Sequence, residues 1–373
     1  MIAVSIEGSG PIAMALALFL RRQGLGPGSI GLKLPDPALP SGPASRAIAL
    51  SDGSWQLLAR IITPPAHAVI AEVDIGVLGH GLHSRLIPAD IGLDALGRVV
   101  RHGDLWQALH QACTRDGLGR GGAVDARTPT LSVVADGRIA ESAAQIREFD
   151  QAAITAELTI IADSSAGAAL APRAGVAYER FKPNGPLAIL PLPGARRWSL
   201  VWCESRSRCA ELMSASVREF DEQLAQRLGP RFGRFELAGT REVVNLRRVS
   251  LAPAAHAREI AIGNAAQSLH PVAGQGMNLG LRDAFEAASA IGDALANDLP
   301  VASVVKSYIF RRRTDRQRTI GLTDWLAGLS ERPHFSGLNN GATQSIAIGL
   351  LDSLSPLRRA AARRFVFGNR RTD

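Results

Sequence analysis

The chain opens on a short apolar run, Ile2-Ala3-Val4-Ser5-Ile6, of the length and β-branched character of a buried parallel strand. Gly8-Ser9-Gly10-Pro11-Ile12-Ala13 follows, and then Met14, Ala17, Leu18 and Arg21 recur at helical spacing. Pro11 suits the first turn of that helix, where its missing N–H is not needed. A second strand is expected at about Ser29 to Leu34, a proline-rich loop from Pro35 to Pro43, and a helix from Ala44 to Arg60. From His67 to Val100 the alternation shortens, as in half-buried antiparallel strands. Leu105 to Cys113 has helical spacing, and Thr130 to Ala140 predicts a hairpin turning at Asp136-Gly137. Buried strands are expected at Leu158 to Ala162, between Tyr178 and Glu204, and at Glu259 to Gly263. Leu281, Phe285, Ala288, Ile291 and Leu295 mark a strongly patterned helix from Met277 to Leu295, and everything after Pro300 is helical in pattern.

Parallel and antiparallel signals in one chain predict an α/β fold, a nucleotide-binding domain interrupted by an antiparallel-sheet domain and followed by a C-terminal helical segment. The expected boundaries are 1–66, 96–170 and 255–300 for the first domain, 67–95 and 171–254 for the second, and 301–373 for the helices. The length of 373 residues and the 46% apolar and 20% charged fractions are ample for a folded core. The longest apolar run, Pro11 to Leu20, is too short to span a bilayer, and no positive charge precedes it as in a signal peptide. Three cysteines provide neither a disulfide framework nor a zinc site, so a reduced, cytosolic enzyme is expected.

The formal charge is +8, and Lys33, Lys182 and Lys306 are the lysines, so arginine supplies nearly all the basic groups. They concentrate late, at Arg311 to Arg313 and at Arg358, Arg359, Arg363, Arg364, Arg370 and Arg371, with no acid between Asp352 and Asp373. Such a field attracts an anionic surface. Without interleaved aromatics or a nucleic-acid motif, nucleic acid is not the expected partner. Ile346, Leu350 and Leu354, then Leu357, Ala361 and Phe365, continue an apolar stripe beside those arginines, which leaves two expectations of equal weight, peripheral attachment to an anionic membrane or a solvated tail helix packed on the body of the protein.

Two glycine-rich stretches carry the chemistry. Gly8-x-Gly10-x-x-Ala13, between strand and helix, lets backbone approach a pyrophosphate, and the small third residue allows close packing. The acid that ends the second strand in such folds is missing, or displaced to Asp36. The run Ile262-Gly263-Asn264 through His270-Pro271-Val272-Ala273-Gly274-Gln275-Gly276-Met277-Asn278 to Arg282-Asp283-Ala284 places a glycine turn at a helix start, where unpaired N–H groups face an electron-rich ligand.

The Gly263 to Ala284 run resembles the second FAD-binding motif of the UbiH-type 2-polyprenylphenol hydroxylases of ubiquinone biosynthesis, which are class A flavoprotein monooxygenases. Arg46-Ala47-Ile48-Ala49-Leu50, the stretch from Ala177 to Leu192 and the segment from Tyr308 to Asp324 are similar to the same family. The resemblance implies a Rossmann-like FAD domain and an aromatic hydroxylase. NAD(P)H would reduce non-covalent FAD, and one atom of dioxygen would pass to a prenylated phenol. Carried over, Gly8, Gly10 and Ala13 would hold the pyrophosphate and Arg46 would lie near the phosphates. Gln107 would touch the flavin, Asp163 would stand for the strand-end acid shared with NAD(P)H, and Asn264 would lie at the ribityl chain. Pro271, Gly274, Gln275, Gly276, Met277 and Asn278 would lie against the isoalloxazine. No catalytic residue and no metal ligand is assigned. The family further implies work at the cytoplasmic, inner face of the membrane, beside other ubiquinone-biosynthesis proteins. Asp163-Ser164 departs from the family's Asp-Gly signature, which leaves as an alternative a non-catalytic flavoprotein-like scaffold subunit of a membrane-associated biosynthetic complex; a third reading is a flavin reductase acting on prenyl double bonds.

Overall fold

The computed structural model describes residues 2–36, 46–77, 83–119, 131–137, 144–161, 172–181, 185–229, 232–251, 258–269, 274–331 and 355–368. Four parallel strands form the first sheet in the order β15 (Glu259–Ala261), β8 (Leu131–Val134), β1 (Val4–Glu7), β2 (Ile30–Leu32). Helices α1 (Pro11–Arg22), α3 (His102–Arg115) and α6 (Gln275–Ala296) pack with it into one core that includes Val4, Met14, Leu18, Trp106, Val133, Leu281 and Ile291.

The second sheet has nine strands in the order β16 (Gln267–Ser268), β14 (Glu242–Leu251), β9 (Ala144–Ile161), β12 (Arg197–Ser205), β11 (Leu187–Pro191), β10 (Val176–Phe181), β5 (Glu72–Val77), β6 (His83–Leu86), with β13 (Arg234–Leu237) also on β9. Its pairs are antiparallel except β5 with β10. Large side chains (Ile154, Leu158, Tyr178, Leu200, Trp202) fill one face and meet α4 (Arg206–Ser214) and α5 (Val217–Leu228) through Leu212, Phe220 and Leu224. A small third sheet pairs β3 (Ala47–Ser51) and β4 (Ala68–Ile70) with β7 (Gly97–Arg101).

Three expectations need correction. The stretch from Ala44 to Arg60 is not one helix. Ile48 and Leu50 are buried while Ala47 and Ala49 are less so, a period of two that makes β3, and the Ser51 hydroxyl then caps α2 (Asp52–Ala59) by accepting the Ser54 N–H. Residues 130–140 do not form a hairpin among the described residues. Gly137 does take the turn conformation (φ 78°), but β8 is paired in parallel on both sides, with β1 and β15. Finally, residues 144–161, assigned above to the cofactor domain, are the axis of the nine-stranded sheet, and β16 also belongs there. The chain therefore crosses from the parallel sheet to the large one between Ala261 and Gln267.

That crossing is held by ions. Asp283 on α6, with no exposed surface, accepts the Gly263 N–H at 3.1 Å and the Gln267 side-chain amide at 2.7 Å. Its other oxygen takes Arg312 Nε at 2.7 Å from α7 (Val301–Glu331). Arg312 also reaches Asp315 at 2.6 Å, and Asp315 binds Arg282 Nε at 2.9 Å, closing a buried neutral set of two arginines and two aspartates. No helix among the described residues is long and apolar enough to cross a membrane. The last helix, α8 (Ser355–Phe367), lays Ala362, Val366 and Phe367 onto the core around Leu96 and Val99, and Arg358 pairs with Asp90 at 2.9 Å. Ile346, Leu350 and Leu354 lie outside the described residues.

Burial pushes the Asp315 carboxyl upward, but the Arg282 and Arg312 guanidiniums, with their hydrogen bonds, outweigh it and hold the group below the usual carboxylate range. Its stabilisation is complete above the unfolded pKa of about 3.9 and is lost as pH falls through the lower folded value. Asp315→Asn leaves two buried guanidiniums short of a counter-charge and should cost about 3–5 kcal/mol near neutrality. Urea unfolding across pH checks this. The gap to wild type should close on the acid side, and a pH-independent gap would contradict the ionic account.

Candidate functional site

A cavity of about 870 Å³ opens where the three sheets meet. At one end it is walled by Gly8, Ser9, Gly10, Pro11 and Ile12, the turn from β1 into α1, with Ala135, Asp136 and Gly137 beyond β8. Gly8 has φ 132°, and a side chain there would run into the Ala135 carbonyl, so the two strand ends close up only around glycine. A Cβ on Gly10 would meet nothing within 4 Å, leaving bare backbone toward the cavity. The N-cap of α1 is Gly10, with no side-chain cap and no acid in the first turn.

The start of α6 is built in the same way. Gly274, its N-cap, is left-handed (φ 58°), and again no side chain caps the helix and no acid sits in its first turn. By contrast, α2, α4 and α5 are each capped by a serine hydroxyl. Both bare termini, α1 and α6, face this one cavity with the positive ends of their dipoles. Asn278 fixes the second one. Its side-chain oxygen accepts the Ser51 N–H at 2.8 Å, and its amide donates to Ala49 O at 3.0 Å and Gly274 O at 2.9 Å, tying α6 to β3. Ile12 wedges between the two helices, and a Cβ on Gly280 would lie 2.9 Å from its Cδ1.

Of the residues expected at the site, Gly8, Gly10, Arg46, Asn264, Gly274, Gly276 and Met277 line the cavity. Ala13 is fully buried in the core behind the turn, where its small side chain packs. Gln275 and Asn278 are buried and do not line it; the Asn278 amide is spent on backbone. Gln107 is exposed on α3 and is not a lining residue, a correction that follows from the helix phase, since Leu105, Trp106 and Leu109 are the residues turned inward. Asp163 and Pro271 lie outside the described residues.

The sequence did not point to His102; the sheet that includes Leu187 to Leu192 and Ser199 to Trp202 was the expected cover of the substrate, and four of its residues, Ala188, Leu190, Ser199 and Val201, line the cavity. His102 opens α3, donates its N–H to Arg46 O at 2.8 Å and lines the cavity. Burial, then the Arg46 guanidinium, pushes its pKa below that of an ordinary histidine, so the ring is neutral at pH 7. The floor is the second face of the nine-stranded sheet, with Ala153, Thr155, Ala177, Glu179, Ala188, Leu190, Ser199 and Val201. These residues alternate with the large ones that meet α4 and α5. Each strand's period was legible, but which face stayed open depends on helices placed by tertiary structure. No group of three or more metal-ligating side chains occurs among the described residues.

This arrangement suits an elongated, electron-rich cofactor with a diphosphate at α1 and a polar ring edge at α6, and the comparisons define the class. Residues 126–320 match the model of the FAD binding domain family. The fold superposes on p-nitrophenol 4-monooxygenase PnpA of Pseudomonas putida DLL-E4 with a TM-score of 0.72 over 100% of this chain and 99% of that one, at 13% identity, a likeness of fold. The chain is 32% identical to the ubiquinone hydroxylase UbiL of Rhodospirillum rubrum over 95% of its own length and 87% of that protein. It is also 32% identical to the 3-demethoxyubiquinol 3-hydroxylase of Escherichia coli K12 over 37% of this chain and 35% of that one. The chain belongs to the ubiquinone-biosynthesis hydroxylase family of FAD-dependent monooxygenases.

Gly276 is helical rather than left-handed, and a Cβ there meets nothing within 4 Å. Gly276→Val should therefore leave the unfolding midpoint nearly unchanged while projecting methyl groups into the space beside the turn, and flavin occupancy should fall at least ten-fold. Absorbance at visible wavelengths of the purified variant after incubation with FAD reads this, and wild-type occupancy would show that the flavin lies elsewhere.

Proposed function

We propose that this protein hydroxylates the ring of a polyprenylphenol in ubiquinone biosynthesis, with dioxygen as oxidant and NAD(P)H as reductant. The balance is one ring C–H, O₂, NAD(P)H and a proton giving ring C–OH, water and NAD(P)⁺. The observation that carries the reading is a single cavity that joins two bare helix termini to a floor of small side chains wide enough for a flat ring. Bound there, FAD supplies the redox chemistry. The protein's own part is positional. The Gly8–Ile12 turn and the α1 dipole offset diphosphate charge, with Arg46 and neutral His102 on the neighbouring wall. The N–H groups at Gly274 to Met277 stabilise negative charge at the flavin's pyrimidine edge. The sheet floor excludes water from the reacting face. Family membership and this cavity favour an enzyme over a scaffold subunit.

In a coupled assay, a polyprenylphenol should accelerate NAD(P)H oxidation several-fold and give a product one oxygen heavier. Flavin-bound protein whose NAD(P)H consumption ignores every prenylphenol offered would argue against this activity, and a product richer in hydrogen would indicate reduction of the tail instead.

We propose also that the chain works at the inner, cytoplasmic face of the membrane, alongside other proteins of the pathway. Arg359, Arg363 and Arg364 are exposed on α8, while Ala362, Val366 and Phe367 are turned to the protein, so attachment would be mainly electrostatic. Each arginine near an anionic surface contributes about 1 kcal/mol, screened by salt. Binding to anionic vesicles that declines in high salt and after Arg359, Arg363 and Arg364 are changed to Gln is the expected result; equal binding to neutral vesicles would refute it.

A further inference from the structure

The cavity floor carries a gradient of polarity across the strands of the large sheet. Strand register sets Glu179 of β10 opposite Ala188 of β11, Ala188 opposite Val201 of β12, and Val201 opposite Thr155 of β9. All four line the cavity, so one row across the sheet presents a carboxylate, two apolar side chains and a hydroxyl over three strand spacings, about 14 Å. On the same face Ala177, Leu190 and Ser199 flank the row on one side, followed on β9 by Glu157, which is paired with Arg101 and Arg197, and Ala153 flanks it on the other. Among the described lining residues the acids are Glu179 and Asp136, and Asp136 sits beside Gly8, at the end of the cavity where the diphosphate would lie.

Glu179 is half-buried, and it sets a carboxylate beside the alanine and valine of this row. A flat ring resting on Ala188 and Val201 brings its substituents within reach of both ends of the row. A carboxylate accepts hydrogen bonds and donates none, so it selects a substituent that donates, and a phenolic O–H is such a group. Electron density withdrawn from that O–H returns to the ring, where an electrophilic oxygen must add. This inference rests on the hydroxylase reading and sharpens it.

We propose that Glu179 is the substrate-orienting group of this enzyme, accepting a hydrogen bond from the phenol hydroxyl and thereby fixing which ring carbon is presented for hydroxylation. The hydroxyl keeps its proton in the bound state and the carboxylate stays ionised, so no proton or electron leaves the pair.

The test uses the FAD-loaded full chain with ortho-farnesylphenol and its methyl ether, which cannot donate. Binding is read from the perturbation of the flavin absorbance. A charge-assisted hydrogen bond is worth about ten- to a hundred-fold in affinity, so wild type should prefer the phenol over the ether by that factor. In Glu179→Gln the preference should shrink to a few-fold and in Glu179→Ala vanish, with flavin content and unfolding midpoint unchanged. Product formed per NAD(P)H should drop in both variants, or the ring position of the new hydroxyl should scatter. A wild-type enzyme that makes product but shows no preference for the phenol, or a Glu179→Gln variant that keeps the full preference and coupling, overturns the assignment while leaving the hydroxylase reading intact. Absence of any hydroxylated product from wild type overturns both.

Discussion

A carboxylate sealed from water, Asp283, decides how the two large sheets of this protein meet. The chain leaves the parallel sheet after Ala261 and enters the nine-stranded sheet at Gln267, and both ends of that crossing, Gly263 N–H and the Gln267 amide, are fastened to the same Asp283 oxygen. Without a counter-ion such a charge would be too costly to bury; Arg312 supplies it, and Asp315 with Arg282 balances Arg312 in turn. The long helix α7 packs Val304, Val305 and Tyr308 into the core and farther along turns Arg312, Asp315, Thr319 and Thr323 inward, so that it braces the crossing electrostatically as well as by apolar contact. What this fixes is the start of α6. Gly263, left-handed at φ 60°, and Gly280 let α6 and the crossing close on Ile12 from either side, so that the α1 and α6 termini open into one space.

The cavity follows from an allocation of side chains between the two faces of the large sheet. Tyr178, Ile189, Leu200 and Trp202 spend the bulk on the face covered by α4 and α5, and Ala177, Ala188, Ser199 and Val201, their neighbours along the same strands, leave the other face shallow. Room for a planar ring is thus the complement of a well-packed core. Asn278 serves the same end with polar atoms, spending its amide on Ser51, Ala49 and Gly274, which holds the start of α6 against β3.

Elements whose signal is local were legible in the sequence. The strand, glycine turn and Pro11-initiated helix at the N-terminus, and the periodic helix beginning beside Gly276, carry their chemistry within a dozen residues. Where partners come from far along the chain the pattern misled. Residues 47–51 have enough alanine and leucine to suit a helix, and β7, some fifty residues on, makes them a strand. The Asp136-Gly137 turn predicted a hairpin because nothing local reveals that β8 has parallel neighbours on both sides. The candidate site was legible as motif and less so as role. Asn278 lies within the motif yet acts on the protein, Gln107 lies on the outer side of its helix, and Glu179 and His102, from different walls, take their meaning from the cavity they both line.

The central claim is that the termini of α1 and α6 form a single preassembled cradle for FAD, and a crystal structure of the FAD complex tests it most directly. The account predicts the diphosphate against the Gly8 to Ile12 turn, the isoalloxazine edge against Gly274 to Met277, and a protein backbone there that hardly moves from the arrangement described. A flavin lying with neither terminus in contact, or a cradle formed only after α6 shifts away from Ala49 and Ser51, would contradict it.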